Sequence, residues 1–427
     1  MRPLDGNWGR RRRGRGRGWG GGRRASLPSL GLVAAVIGVI VLLGVIGVIV
    51  QLVRGVPAVS ARATAPSSVS VPGSPPAMPF PPEGEAAVGI MGVGTIAASG
   101  GNQPVPIASI TKVMTAYVLL NDHPLAPGQQ GPSITLTATD VANYQAGLAG
   151  QQSVVKVEAG EKLTELQALQ GLLIPSANDL ATALANWDAG SVPAFLAKMN
   201  STAAQMGMSH THFTDVIGLD ATTVSTASDL MILGQKAMAN QVLASIVGQK
   251  QVDLPVAGMQ YNTDYILGRN GVIGIKTGSS SEAGGTFLFA ANAAAAGKPA
   301  VVIGSVLGQK TASELQSALS ASAALIAAAP GAVQTVTVLP AGTRVATIHV
   351  PWGHDVAVVT TKPVSVLGWP GLTFTEKVRL RPVGRGTPAG TEVATVELAS
   401  GGSTVTVPAA TTTAIGSPGL AWRIVHG

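Results

Sequence analysis

Hydrophobic and polar positions divide this chain into three regimes. Residues 30–50 form an uninterrupted run of 21 positions without a charged or hydrogen-bonding side chain. As a helix it would be about 31 Å long and would match a bilayer core of roughly 30 Å. From Glu83 the pattern is that of a folded body. Residues 87–97 read as a strand. Over 107–120, apolar side chains fall at Ile110, Val113, Met114, Tyr117 and Val118, one face of a helix. Stretches 161–173, 178–187, 192–206 and 228–240 are also helical, with Pro175 breaking the first from the second. Strands follow at 272–277, 286–291 and 300–306, then an Ala/Leu-rich helix over 312–328. Strands at both ends of a helical middle predict an α+β domain, with helices packed on an antiparallel sheet. Pro330-Gly331 punctuates the pattern. Beyond it, alternating stretches at 333–338, 344–350, 355–361 and 392–398 between turn-rich gaps predict a small all-β domain.

Charge changes the picture of a uniformly basic chain. The formal net charge is +7, yet residues 1–24 hold nine Arg and one Asp, so the other 403 residues sum to −1. Basicity belongs to the tail, where attraction to anionic lipid accounts for it, and no nucleic-acid partner is expected. The arginines before the apolar run, against Arg54 alone close behind, put the N-terminus in the cytoplasm and everything after residue 54 outside. A cleaved signal peptide is the competing reading, because Ala63-Thr-Ala65 fits a cleavage site. The run and its basic leader are longer than such signals usually are. Residues 55–82 hold eight Pro and five Ser, a composition of a semi-rigid tether that cannot bury a core. The expected division is an Arg/Gly-rich cytoplasmic tail over 1–29, a transmembrane helix over 30–53 and a linker over 54–82. A main folded domain over 83–329 and a C-terminal β domain over 330–427 complete it.

Cysteine is absent, which excludes disulfides, thiolate metal sites and a Cys nucleophile. His210-x-His212 lacks an evident third ligand, and His349, His354 and His426 show no ligand spacing, so no metal and no cofactor is expected.

Three short motifs carry the candidate chemistry: Ser109-Ile-Thr-Lys112, Ser176-Ala-Asn178 and Lys276-Thr277-Gly278. Residues three apart on a helix are neighbours, so the Lys112 amine can reach the Ser109 hydroxyl. A serine near a helix N-terminus also lies where free N–H groups favour a developing oxyanion. Lys112 can act as a base near neutrality only if burial or a nearby cation depresses its pKa, and Lys276 could supply that charge. Ser153-Val-Val-Lys156 repeats the spacing in a β-branched run, where i and i+3 point to opposite faces. Ser176 and Asn178 alone would read as helix caps. Beside the other motifs, Ser176 becomes a proton relay to a leaving amine, and Asn178 a group that binds substrate backbone or positions Lys112. Val272, Gly274, Lys276 and Gly278 would share one face of a strand, leaving a bare edge with which a substrate backbone could pair.

With Ser-Ala-Asn and Lys-Thr-Gly in that order, the chain resembles the serine-type D-alanyl-D-alanine carboxypeptidases, the low-molecular-mass penicillin-binding proteins. The resemblance runs from about residue 83 to 328. It includes Ala-Ser-Ile-Thr-Lys-Val-Met-Thr-Ala at 108–116, Leu-Leu-Ile-Pro-Ser-Ala-Asn-Asp at 172–179 and Met-Gly-Met-Ser-His-Thr-His-Phe at 206–213. Ser-Thr-Ala-Ser-Asp-Leu at 225–230 and Gly-Ile-Lys-Thr-Gly at 274–278 complete it. It implies a β-lactamase/DD-peptidase-like fold in which Ser109 attacks the bond between two terminal D-alanines of a peptidoglycan stem peptide, with Lys112 as general base. The oxyanion hole would be the N–H groups of Ser109 and Ser279. Lys276, Thr277 and Ser280 would hold the terminal carboxylate, and β-lactams would acylate Ser109 as covalent inhibitors. Two departures stand out. Ser280 replaces a common Thr, and the chain ends in a short polar tail where many relatives carry an amphipathic anchor. A serine β-lactamase of class A would need a Glu after Asn178, and none occurs before Lys276. A non-catalytic penicillin-binding receptor or a serine esterase would use the same residues.

Overall fold

The structure, a computed structural model, describes residues 29–426; the Arg/Gly tail lies almost wholly outside them. Two compact units result. The first holds the helix Leu30–Val53, which opens on a Ser29 cap, is apolar on all sides up to Gln51 in its last turn, and has no buried side chain, as befits a helix meant for lipid. The end expected as a polar tail is instead a short helix, Leu420–His426. Its Arg423 guanidinium donates to the Leu52 carbonyl at 3.0 Å, and its Trp422 meets Trp352 edge-on. Among the described residues one other helix, Glu314–Ala332, is long and apolar enough to cross a membrane. It packs on a sheet, burying Leu319, Leu325 and Ile326.

The second unit is built on a five-stranded antiparallel sheet in the order Val272–Ser280, Gly284–Ala295, Lys298–Gln309, Glu85–Ile90, Gly94–Ser99. The stretch expected as one strand over 87–97 is a hairpin: Gly92 and Gly94 have positive φ and turn the chain, and Val88 pairs with Ala97. Alternation sorts the central strand. Leu288 and Ala290 face a helical core, while Phe287 and Phe289 lie tilted against each other beneath Glu314–Ala332. That helix runs on through Pro330, where the sequence pattern predicts a break. Pro330 falls in the last turn, so the bond it cannot make lies near the helix end, and its carbonyl accepts from the Val333 N–H at 3.3 Å as the helix closes.

The helical core gathers Thr111–Asp122, Glu165–Leu173, Asn178–Ala189, Val192–Met206 and Ala227–Ala239. Capping boxes at Thr137 and Thr164, a Ser191 cap before Pro193 and left-handed Gly190 and Gly207 set the ends of several helices. Glu165–Leu173 begins four residues later than the periodicity suggests, because residues 162–164 pair with Ser133–Thr135.

The C-terminal strands form a seven-stranded antiparallel sheet, from Ser60–Ala63 and Arg344–His349 at one edge to Thr373–Leu380 and Ser68–Ser70 at the other. The stretch read as a tether therefore supplies both edge strands, with Ser60 opposite His349 and Ser70 opposite Thr373. Its Ser/Pro composition hid this. An edge strand needs mainly backbone partners, and Val71 beside it is the one residue of that segment that is fully buried.

Candidate active site

Ser109 lies in a single 3₁₀ turn, Ala108–Ile110, immediately before the helix Thr111–Asp122. Ala108 holds φ +48°, and the Thr111 hydroxyl donates to its carbonyl at 2.9 Å, so the turn is fixed from within. Ile110, Val113, Met114 and Val118 bury the helix in the core, as their spacing predicts. That burial leaves Lys112 with no solvent exposure. Its Nζ donates to Ser109 Oγ at 2.9 Å and to the Ile217 carbonyl at 3.1 Å. Burial pushes its pKa well below the ordinary lysine value, and the charge of Lys276 pushes it further. Asp215 and Asp179 oppose the shift.

Lys276 and Gly278 sit on the edge strand Val272–Ser280, opposite Leu288 and Thr286, and so face the helical core. The expected run of one-face residues is interrupted, because the pairing register slips between Val272 and Gly274. Gly278 is the point of closest approach. A Cβ there would lie 2.8 Å from the Ser109 amide nitrogen and 2.8 Å from Thr286 Oγ1, so only glycine lets the strand pass the serine. Lys276 is 2 % exposed. Its Nζ donates to the Thr277 carbonyl at 3.0 Å and Thr263 Oγ1 at 3.2 Å, and burial lowers its pKa to about 7 against the pull of Asp264. Ser279 is exposed. The Ser280 hydroxyl accepts from the Ala283 N–H at 3.1 Å in the following turn.

Ser176 is buried at φ +69° in the turn after Pro175. Neither motif residue caps the next helix: it starts at Asn178, and Ala177 precedes it without a side-chain bond. Asn178 instead donates from Nδ2 to Gln152 Oε1 at 2.9 Å and from its backbone to the Ser153 carbonyl at 2.8 Å. The 153–156 run is thus part of the wall behind Asn178, while Lys156 pairs with Glu158 at the surface. A cavity of about 180 Å³ opens there between Asn143, Gln152, Asn178 and Ile217. Another cavity, of about 960 Å³, lies away from the motifs beside Tyr117, Lys198 and Lys236.

Two contributors carry no motif. Asp215 gathers the N–H groups of Gly218, Leu219 and Asp220 and the Thr223 hydroxyl, curling the loop so that the Ile217 carbonyl meets Lys112. Gly218 lies against the Ala108 carbonyl, where a side chain would collide. An Asp three residues before a Gly is a turn signal that could have found this loop. Thr263 is the other contributor, and nothing in its surroundings marks it in the sequence. His210 and His212 stay apart from the site, His212 pairing its backbone with Val224. Among the described residues, no three His, Asp or Glu side chains are grouped to hold a metal.

Residues 93–311 match the model of a family described as D-alanyl-D-alanine carboxypeptidase. The chain is 37% identical over 210 residues to D-alanyl-D-alanine carboxypeptidase DacB2 of Mycobacterium tuberculosis, covering 48% of this chain and 67% of that protein. It is 32% identical over 181 residues to DacA of Escherichia coli, covering 42% and 44%. Among solved structures, the Streptomyces K15 DD-transpeptidase superposes with a TM-score of 0.51 at 27% identity, over 60% of this chain and 98% of that one. Penicillin-binding protein 5 of Haemophilus influenzae superposes at 0.57 over 81% and 99%; at 20% identity that likeness concerns the fold.

Proposed function

The chain belongs to the D-alanyl-D-alanine carboxypeptidase family of serine hydrolases, and from that premise we propose that it trims the terminal D-alanine from peptidoglycan stem peptides through an acyl-enzyme on Ser109. The observation that carries this reading is the 2.9 Å contact between Ser109 Oγ and a lysine driven toward its neutral amine by burial and a neighbouring cation. Lys112 takes the serine proton as Oγ attacks the carbonyl of the penultimate D-alanine. The N–H groups of Ser109 and Ser279 receive the oxyanion. Collapse breaks the peptide bond, and Ser176 relays the proton held by Lys112 to the departing amine of the terminal D-alanine, which leaves Lys112 neutral again. Asn178 holds substrate backbone beside Lys112. Lys276, Thr277 and Ser280 bind the terminal carboxylate, and the bare edge at Gly278 receives the substrate as an added strand. Water, deprotonated by Lys112, then releases the acyl group.

β-Lactams present the same carboxylate and carbonyl and acylate Ser109. Without a Glu between Asn178 and Lys276, their release is slow. The helix Leu30–Val53 anchors the enzyme, with the N-terminus in the cytoplasm and the catalytic body facing the wall; the strands after residue 330 form a β module of the same outer part.

Intact mass of the full chain after incubation with a penicillin, beside a Ser109→Ala control, tests this together with D-alanine release from a D-Ala-D-Ala peptide. A stable adduct on the wild type alone, with D-alanine release, is expected. An adduct without peptide turnover would favour a receptor, and rapid drug turnover a β-lactamase.

A further inference from the structure

Asn262, Thr263 and Asp264 belong to none of the three motifs, yet they are wedged between two of them. Asn262 is tied down on every side. Its N–H donates to the Lys250 carbonyl at 2.8 Å, its Nδ2 to the Gln249 carbonyl at 2.8 Å, and its Oδ1 accepts from the Asp264 N–H at 2.8 Å. Thr263 is thereby held in one place. Its N–H donates to the Ile174 carbonyl at 3.2 Å, two residues before Ser176, and its hydroxyl lies 3.2 Å from Lys276 Nζ and 2.9 Å from Thr277 Oγ1. One hydroxyl thus touches both side chains of the Lys-Thr pair, and the same residue's backbone touches the serine loop.

An ammonium has three N–H donors. Two of those on Lys276 go to Thr263 Oγ1 and the Thr277 carbonyl, which leaves one for a ligand in a fixed direction. Asp264 follows at 5 % exposure. Its Oδ1 accepts from the Ile266 N–H at 3.1 Å, while its Oδ2 has no hydrogen-bond partner. Burying a carboxylate oxygen without a bond is costly unless a charge compensates. No ion pair within 4.0 Å engages Lys276 among the described residues. Asp264 therefore compensates it at longer range without occupying its donors. The charged groups acting on the two lysines are Asp264 on Lys276, and Lys276, Asp215 and Asp179 on Lys112.

We propose that Thr263 and Asp264 are positioning residues for the Lys276 ammonium: the Thr263 hydroxyl aims it at the substrate carboxylate, and the Asp264 carboxylate is the buried counter-charge that keeps it an ammonium. Signs then alternate through the site. Asp264, raised by burial to about 6, is negative at neutral pH, Lys276 carries the positive charge, and Lys112 is held toward its neutral amine first by burial and then by that charge. The proposal rests on the reading of Lys276 as carboxylate anchor.

The test is the second-order rate of penicillin acylation of the full chain in detergent, from pH 5 to 9, for wild type, Asp264→Asn, Thr263→Val and Thr263→Ser, with KM and kcat on a D-Ala-D-Ala peptide. Asp264→Asn is expected within about twofold of wild type at pH 5.5 and about tenfold below it at pH 8, its alkaline limb moved about one unit to acid. Thr263→Val should lose about tenfold at every pH, mostly in KM, and Thr263→Ser should recover to within about threefold. An Asp264→Asn profile scaled down uniformly, with its limb unmoved, would overturn the counter-charge. Equal rates for Thr263→Val and Thr263→Ser would overturn the aiming role, and that pair decides the matter if Asp264→Asn does not fold. Absence of any adduct on the wild type would instead sink the reading of Ser109 beneath it.

Discussion

Two Ser-x-x-Lys sequences in this chain share a spacing and almost nothing else. In Ser109–Lys112 the serine sits in a 3₁₀ turn and the lysine in the first turn of a buried helix, so the side chains meet at 2.9 Å and the lysine has no exposure. In Ser153–Lys156 the backbone forms neither helix nor the expected strand, Val155 and Val157 are buried, and the Lys156 amine is drawn to Glu158 at the surface. A lysine in water at its ordinary pKa is an ammonium and no base at neutral pH. The helix brings the two groups together, the core removes the water and with it the lysine's hold on its proton, and the charge of Lys276 adds to that shift. The second motif has none of these, and its backbone serves the first as a ledge for Asn178.

Breaking the comparison at its strongest point should give the largest effect. Lys112→Ala is expected to lower penicillin acylation at least about 10³-fold, read as the rate of adduct formation by intact mass, with the melting curve confirming the fold. Next comes the strand that approaches Ser109. Gly278→Ala drives a Cβ to within 2.8 Å of the Ser109 amide and Thr286 Oγ1. A loss of about 10²-fold in acylation and about 1–3 kcal/mol of stability should follow, measured by kinetics and thermal denaturation.

A smaller effect is expected from pH. In the proposed mechanism the base must be neutral and the anchor charged. The kcat/KM of the free enzyme should therefore rise as Lys112 loses its proton, far below the ordinary lysine range, and fall as Lys276 loses its own near pH 7. Bound substrate carboxylate favours the Lys276 ammonium, so the alkaline limb of kcat should lie above that of kcat/KM. Coincident limbs would remove Lys276 from carboxylate binding. Smallest of all is Lys156→Ala, for which acylation within about twofold of wild type is expected; a tenfold loss would erase the distinction between the two motifs.

The helices Thr111–Asp122, Glu165–Leu173, Asn178–Ala189, Val192–Met206 and Ala227–Ala239 were legible because each buries an apolar stripe, and a stripe is written at 3.6-residue spacing; Ala138–Ala149, which buries only Asp140 and Gly147, was not. Edge strands were not. Ser60–Ala63 and Ser68–Ser70 look like a tether because pairing at an edge is done by backbone, which every residue carries. The hairpin at 87–97 was hidden for a related reason: small apolar residues flank its glycine turn on both sides, so hydropathy does not mark the reversal.

In the site, the sequence alone determined which candidate groups are present and in what order: a serine and a lysine one helical turn apart, a Ser/Asn turn after proline, and a lysine two residues from a glycine. Local chemistry of that kind is carried by short spacing. Only the tertiary structure decided which of two Ser-x-x-Lys pairs is buried, that Gly278 passes against Ser109, that Asp215 curls a loop onto Lys112, and that Thr263 and Asp264 stand behind Lys276. Those depend on segments far apart in the chain meeting across a packed core, and on the field of charges that meeting creates. Spacing along the chain encodes neither.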